Sequence, residues 1–292
     1  MPTSPPEIYP LARDEAETTR LNDQHRCLVD IAGGLIDSTV PLENVSAVAD
    51  VGTGSGIWLL EARDLLNERT ANRARYYHGF DISAAQFPAP SARQQHGMNM
   101  NFSVHDILRP FPVEHHNRYD LVHVRMLVAA LVESKYREAV ANLLTILKPG
   151  GYLQWVELDS SALHGSPSAR DPRSARPVHA WLEFLDGNGL SQCPPRTIQD
   201  ACKEVGGLVN VSARSVKVRG CEELGTERTQ RWQLQAWAAV LPQVFLRTGA
   251  VSDRVAADVC AGEAIDGLKS YFADGEVVDL AFGVVVGQRR MG

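Results

Sequence analysis

Apolar positions along this chain fall into short unbroken runs separated by longer stretches with helical spacing. The first run, residues 45–50 (VSAVAD), stops at a cluster of glycines, and the following IWLLEARDLLNER places its apolar side chains as a helix does. Further runs at 76–81 (YYHGFD), 100–104 (MNFSV), 119–124 (YDLVHV) and 152–157 (YLQWVE) have strand length and are rich in β-branched or aromatic residues. Between the last two, residues 135–147 have helical periodicity and end at Lys148, Pro149, Gly150 and Gly151, a strong turn signal. Strands alternating with helices predict an α/β fold, a parallel sheet with helices on both faces.

The flanks read differently. Residues 1–9 are rich in Pro and Ser and predict an extended or mobile start, whereas 14–36 predict one or two helices ahead of the core. In the second half, 160–177 reads as a loop, 178–187 and 197–205 as helices, and 209–218 and 277–286 as strands. Residues 230–272 between those strands read as largely helical and contain Trp232, Trp237 and Phe245. Helices inserted at this point would roof a substrate pocket. The expected organisation is one domain over 1–292: an N-terminal helical lid (1–40), a core (41–160), then cap helices with the last two strands (161–292).

A formal charge of −6 and a pI near 5.9 argue against a nucleic-acid partner, because phosphate-backbone binding needs a concentrated basic face. Apolar runs stop well short of the roughly 20 residues that span a bilayer, and MPTSPPEIYP lacks a basic and then apolar leader, so a cytoplasmic protein without membrane association is expected. The five cysteines are odd in number and widely spaced with no CxxC pair, which suggests reduced thiols and no metal site.

The chemistry concentrates in Asp50-Val51-Gly52-Thr53-Gly54-Ser55-Gly56, where a strand hands over to a helix. Backbone N–H groups and the helix dipole are available to a ligand at such a junction. Counting from Gly52, a dinucleotide fingerprint would need glycine where Ile57 stands, and no GK[ST] follows, so NAD and P-loop nucleotides are disfavoured. Asp50 would repel phosphate but can accept from an ammonium group, directly or through water. Asp81 ends the second strand, where a carboxylate can accept from both ribose hydroxyls, and Asp106 ends the third beside Ile107, suited to an adenine amine and ring. Singly, each acid reads first as a cap or turn residue; together they mark one crevice at the carboxyl edge of a sheet.

The set DVGTGSG, GFDIS, HDILRPFP, YDLVHVR and LKPGGYLQWVE resembles the successive motifs of class I S-adenosylmethionine (SAM) dependent methyltransferases. RLNDQH at 20–25 and DVGTGSGIW extending to Trp58 resemble the fungal small-molecule methyltransferases of secondary metabolism related to the LaeA-type regulators. The resemblance implies a Rossmann-like, seven-stranded, mostly parallel sheet whose last strand runs antiparallel. It also implies SAM as cofactor and S-adenosylhomocysteine as product. Gly52, Thr53, Gly54 and Gly56 would wrap the methionyl part, Asp81 and Ile82 would meet the ribose, and Asp106 and Ile107 the adenine. The N-terminal helix would bring Tyr9, Arg20 and Gln24 to the cofactor. Arg125 could pair with the cofactor carboxylate or simply with a neighbouring acid.

SAM carries its own activation, so the protein's task is to align the acceptor atom and exclude water. His123 and Glu157, read as strand-end residues facing the crevice, are the candidate bases, with a hydrogen-bonded core histidine the other reading of His123. Trp58, Trp155, Trp181 and Phe184 are candidate substrate contacts, although tryptophans in surroundings like those of Trp58 and Trp155 are usually core and plain helix packing also explains Trp181 and Phe184. The resemblance covers thiol methyltransferases of the gliotoxin type as well as N- and O-methyltransferases. The lack of a strong base motif leans toward a thiol on a small-molecule natural product. A SAM-binding regulator acting through protein partners, and a fold recruited for cyclisation, are the other readings.

Overall fold

The computed structural model describes residues 9–69, 74–89, 100–221 and 225–291; the start expected at 1–8 lies outside them. Seven strands form one sheet: β1 (Ala47–Val51), β2 (Tyr76–Asp81), β3 (Met100–Val104), β4 (Tyr119–Arg125), β5 (Leu147–Asp159), β6 (Leu208–Lys217) and β7 (Ala281–Arg289). Their order is β3-β2-β1-β4-β5-β7-β6. The pairings from β3 through β5 are parallel, and β7 runs antiparallel between β5 and β6. This is the Rossmann-like sheet that the motifs imply. The chain order reverses at β1, where β2 lies on one side and β4 on the other, so a crevice opens at the carboxyl ends of these strands.

The helices are α1 (Glu15–Ile31), α2 (Ile57–Arg69), α3 (Tyr136–Ile146), α4 (Pro167–Arg170), α5 (Ala175–Gly187), α6 (Pro194–Val205), α7 (Thr226–Arg247) and α8 (Arg254–Ala273). Residues 14–36 make one helix rather than two: Asp14 caps α1 by accepting from Glu17 N at 2.9 Å, and Gly33 and Gly34 follow its end in left-handed conformations. All five residues of β1 are buried, as expected of a central strand covered on both faces. One apolar core lies under the cap, joining α1, α5, α7 and α8 through residues such as Leu28, Phe184, Trp237 and Leu268; another packs α3 and α6 on the sheet.

Three expectations need correction. Lys148 to Gly151, expected as a turn, lie within β5, whose pairing with β4 shifts between Leu147 opposite Tyr119 and Tyr152 opposite Leu121. Residues 160–177 are not simply a loop, because Ser166 caps α4 by accepting from Ala169 N at 3.2 Å with Pro167 in its first turn, and α5 begins at Ala175. The last strand starts at Ala281, not Val277. Upstream of it, Val278 gives its N–H to Gln233 Oε1 at 2.8 Å and its carbonyl accepts from Gln233 Nε2 at 2.9 Å, so its backbone groups serve the cap instead of the ladder. Among the described residues no helix is long and apolar enough to cross a membrane.

Candidate functional site

The carboxyl ends of β1 to β4 open on a cavity of about 460 Å³ roofed by α1 and α7. The sheet edge and the N-terminal segment contribute polar walls: Gly52 to Ser55, Asp81, Asp106 and Arg125 from the edge, and Tyr9, Arg20 and Gln24 from the lid. Walls from the cap are apolar, with Trp181 from α5, Trp232, Ala236 and Trp237 from α7, and Phe282 from β7.

The glycine loop takes its shape from left-handed conformations at Gly52, Gly54 and Gly56 (φ +73°, +52° and +74°), which side chains disfavour. A Cβ at Gly56 would also lie 2.9 Å from the Phe102 ring. The loop's N–H groups are less available than its position suggested. Gly52 N and Thr53 N both donate to Phe80 O (2.8 and 2.9 Å), Gly54 N to Asp81 Oδ2 (2.9 Å) and Gly56 N to Thr53 O (2.9 Å). With these donors spent inside the protein, the loop suits an ammonium group better than a phosphate.

Asp81 accepts from Gly54 N and, at 3.0 Å, from Ser83 N, so it braces the loop while lining the cavity; burial pushes its carboxyl up against these bonds. Ile82, Ile107 and Asp106 also line the cavity, and Asp106 Oδ1 accepts from Leu108 N at 2.9 Å. Arg20 is neutralised by Glu17 (2.6 Å between charged atoms) and donates to Gln24 Oε1 at 2.6 Å. The Tyr9 hydroxyl, pushed up by burial, remains a protonated donor at neutral pH. Arg125 donates to His25 Nδ1 at 2.8 Å, and no carboxylate of the described residues pairs with it directly. A partly buried cation on a cavity wall without a direct anion is costly, and an incoming carboxylate would relieve that cost. The methionyl carboxylate of SAM fits this position, and the Asp81 carboxylate fits a ribose.

Several expected positions do not reach the cavity. Asp50 is 2 % exposed and lies behind the loop, where it accepts from Thr53 Oγ1 (2.7 Å) and pairs with His123 Nδ1 (2.8 Å). Gly56 is not on the wall either. His123 does not face the crevice: its ring stacks on Trp58 at 3.7 Å between centroids, and burial brings its pKa down to about 4, leaving a neutral imidazole in the core. Glu157 is fully buried beneath the wall. It accepts from Leu127 N (2.7 Å), Trp155 Nε1 (3.3 Å) and Leu158 N (3.1 Å), and burial outweighs these bonds to push it up to about 7. Trp58, Trp155 and Phe184 are core residues, so only Trp181 of the four expected substrate contacts lines the cavity.

The chain from Met126 to Leu131, which carries no motif in the sequence, lines the cavity after turning out of β4 through Met126 in a left-handed conformation (φ +58°). Ala236 and Val240 line it too, equally without a signal of their own. Trp232, Gln233, Ala236, Trp237 and Val240 all line the cavity from α7, at the spacing of one helical face, a periodicity present in the sequence but equally expected of core packing.

Glu157 carries a stability prediction. Its carboxyl is protonated in the fold up to about pH 7 but ionises in the unfolded chain near 4.5, so folding loses stability as pH rises between those values. Relative to Glu157→Gln, the protein should lose about 3 kcal/mol from pH 4.5 to 7.5, with no further difference above. Denaturant titrations of both proteins across that range check this, and parallel curves would contradict it.

A family model described as a methyltransferase domain matches residues 29–212. The methyltransferase grgD of Penicillium sp is 37% identical over 211 residues, 71% of this chain and 71% of that one. The N-methyltransferase sirN of Leptosphaeria maculans is 33% identical over 187 residues, 63% of this chain and 61% of its own. The N-methyltransferase gliN of Aspergillus fumigatus is 30% identical over 199 residues, 60% of this chain and 66% of its own. Among solved structures, a mycolic acid cyclopropane synthase complexed with S-adenosylhomocysteine superposes with a TM-score of 0.55 at 13% identity, over 96% of this chain and 90% of that one. At that identity the likeness speaks for the fold alone.

Proposed function

The chain belongs to the methyltransferase domain family of SAM-dependent enzymes, and from that premise we propose that it methylates a nitrogen of a small, uncharged, largely apolar natural product. The observation that carries this reading is the cap side of the cavity. Leu158, Trp181, Trp232, Trp237, Leu280 and Phe282 supply surface without charge, and the amide of Gln233 is spent on the Val278 backbone. A carboxylate or phosphate acceptor would lose its hydration there with only the unpartnered Trp232 Nε1–H to replace it. Gly52, Thr53, Gly54, Asp81, Asp106 and Arg125 would hold SAM, with Tyr9, Arg20 and Gln24 closing over it from the lid.

SAM supplies an electrophilic methyl group when bound. The chain's own contribution is alignment of the acceptor with that methyl group and exclusion of water by α1 and α7. The cap residues on the cavity wall provide no acid or base, so the acceptor must be nucleophilic without proton abstraction by the cap. Nitrogen is favoured over the thiol to which the sequence leaned, because relatives such as sirN and gliN carry N-methyltransferase names. Incubation with methyl-labelled SAM and a mixed library of apolar amines, thiols and phenols, read by mass spectrometry, tests this. A methyl gain on nitrogen compounds is expected. Gain confined to thiols or phenols would overturn the nitrogen assignment, and no gain despite SAM binding would favour a regulatory role.

A further inference from the structure

His25 lies on α1, 1 % exposed, between two charged groups from different elements. Its Nδ1 accepts from Arg125 at the end of β4 at 2.8 Å, and its Nε2 lies 2.8 Å from Glu61 Oε2 on α2, a contact that is electrostatic and not a well-aligned hydrogen bond. Glu61 is 44 % exposed, so the three side chains run from the cavity wall to the surface. A guanidinium can only donate, which requires His25 Nδ1 to be unprotonated and puts the ring proton on Nε2, the nitrogen nearer Glu61. No other side-chain hydrogen bond from Arg125 occurs among the described residues, so the direction of its guanidinium rests on His25.

We propose that His25 is a positioning residue, held by Glu61, which aims Arg125 at the carboxylate of the methionyl part of the cofactor. The proposal rests on the cofactor reading above. It makes the lid helix a determinant of how the amino-acid end of the cofactor is recognised, apart from its nucleoside end. It also makes that recognition sensitive to acid, because a proton on Nδ1 would remove the acceptor and set a second cation against Arg125. The charged or titratable groups around His25 are Arg125 from β4, Glu61 from α2, and at longer range Asp50 from β1 and His123 from β4. Burial and Arg125 outweigh the two carboxylates and hold the imidazole below its ordinary value of 6.5, so the neutral form prevails at neutral pH.

The test compares S-adenosylhomocysteine with 5′-methylthioadenosine, which shares the nucleoside and thioether but lacks the amino-acid portion. Calorimetry on the full chain should show that His25→Leu weakens S-adenosylhomocysteine about tenfold or more while methylthioadenosine changes less than about twofold, since a bond to a charged group is lost at one end of the ligand only. His25→Asn, whose carbonyl can still accept from Arg125, should recover most of that loss. In the unaltered protein the ratio of the two affinities should fall as pH drops below 6.5, and in His25→Asn it should stay flat. Glu61→Ala, altering an exposed side chain, should give a smaller loss of about threefold with the same selectivity, and it decides the matter if His25→Leu fails to fold. Equal loss of both ligands, or no loss of either, would overturn the proposal. Unaltered protein that binds neither ligand would overturn the cofactor reading and this one with it.

Discussion

Replacing Asp81 with alanine is expected to weaken SAM binding about a hundredfold, a loss of about 3 kcal/mol, while the protein stays folded. The carboxylate stands at the end of β2 on the cavity wall, and two of its lone pairs are taken by Gly54 N and Ser83 N. Those that remain can accept from both hydroxyls of a ribose, bonds strengthened by the charge and by partial burial. Alanine removes these bonds and also releases Gly54, so the loop loses one brace. Asp81→Asn separates the two effects, since its carbonyl can still take the Gly54 N–H but cannot serve both hydroxyls; a loss of about tenfold is expected. Calorimetry with SAM measures both variants. Affinity within about threefold of the parent for Asp81→Ala would remove the ribose assignment.

The opposite signature is expected at the other end of the cavity. Ala236 faces it from α7, flanked on the same helical face by Trp232, Gln233, Trp237 and Val240. Ala236→Trp would thrust a large ring from the α7 side into the space assigned to the acceptor. Methyl transfer should fall at least about a hundredfold, because an acceptor displaced by an ångström or more loses its alignment with the methyl group. SAM affinity should change less than about threefold. Turnover measured beside calorimetry distinguishes the outcomes: full activity would place the acceptor elsewhere, and equal loss of SAM binding would mean that the chamber assigned to the acceptor belongs to the cofactor.

These two sites differ in how they were readable. Asp81 and Asp106 were legible because a strand run ending in an acid is a local pattern, and parallel strands deliver their carboxyl ends to one edge wherever the order reverses. Ala236 was not, because alanine on a helical face carries no chemical signal and the same periodicity serves ordinary packing. The acid at Asp50 misled for a related reason. Its position near the end of β1 is a local fact, but the loop folds forward over it, and Thr53 with His123 takes up its carboxylate.

The sequence by itself determined the alternation of strands and helices, the glycine loop between β1 and α2, the acids at the ends of β2 and β3, and the antiparallel last strand once the family resemblance was drawn. These depend on backbone conformation, on side-chain period within one element and on motifs short enough to be local. Only the tertiary structure decided which polar residues meet the cavity. Central strands are covered on both faces, so an alternating pattern does not say which face of β4 or β5 is roofed by what. His123 is sealed against Trp58 and Glu157 under Leu127, whereas Arg125, two residues beyond His123, emerges at the strand end beside a histidine from the lid. Contacts between residues a hundred positions apart follow from how the lid and cap pack on the sheet, and no local pattern encodes that packing.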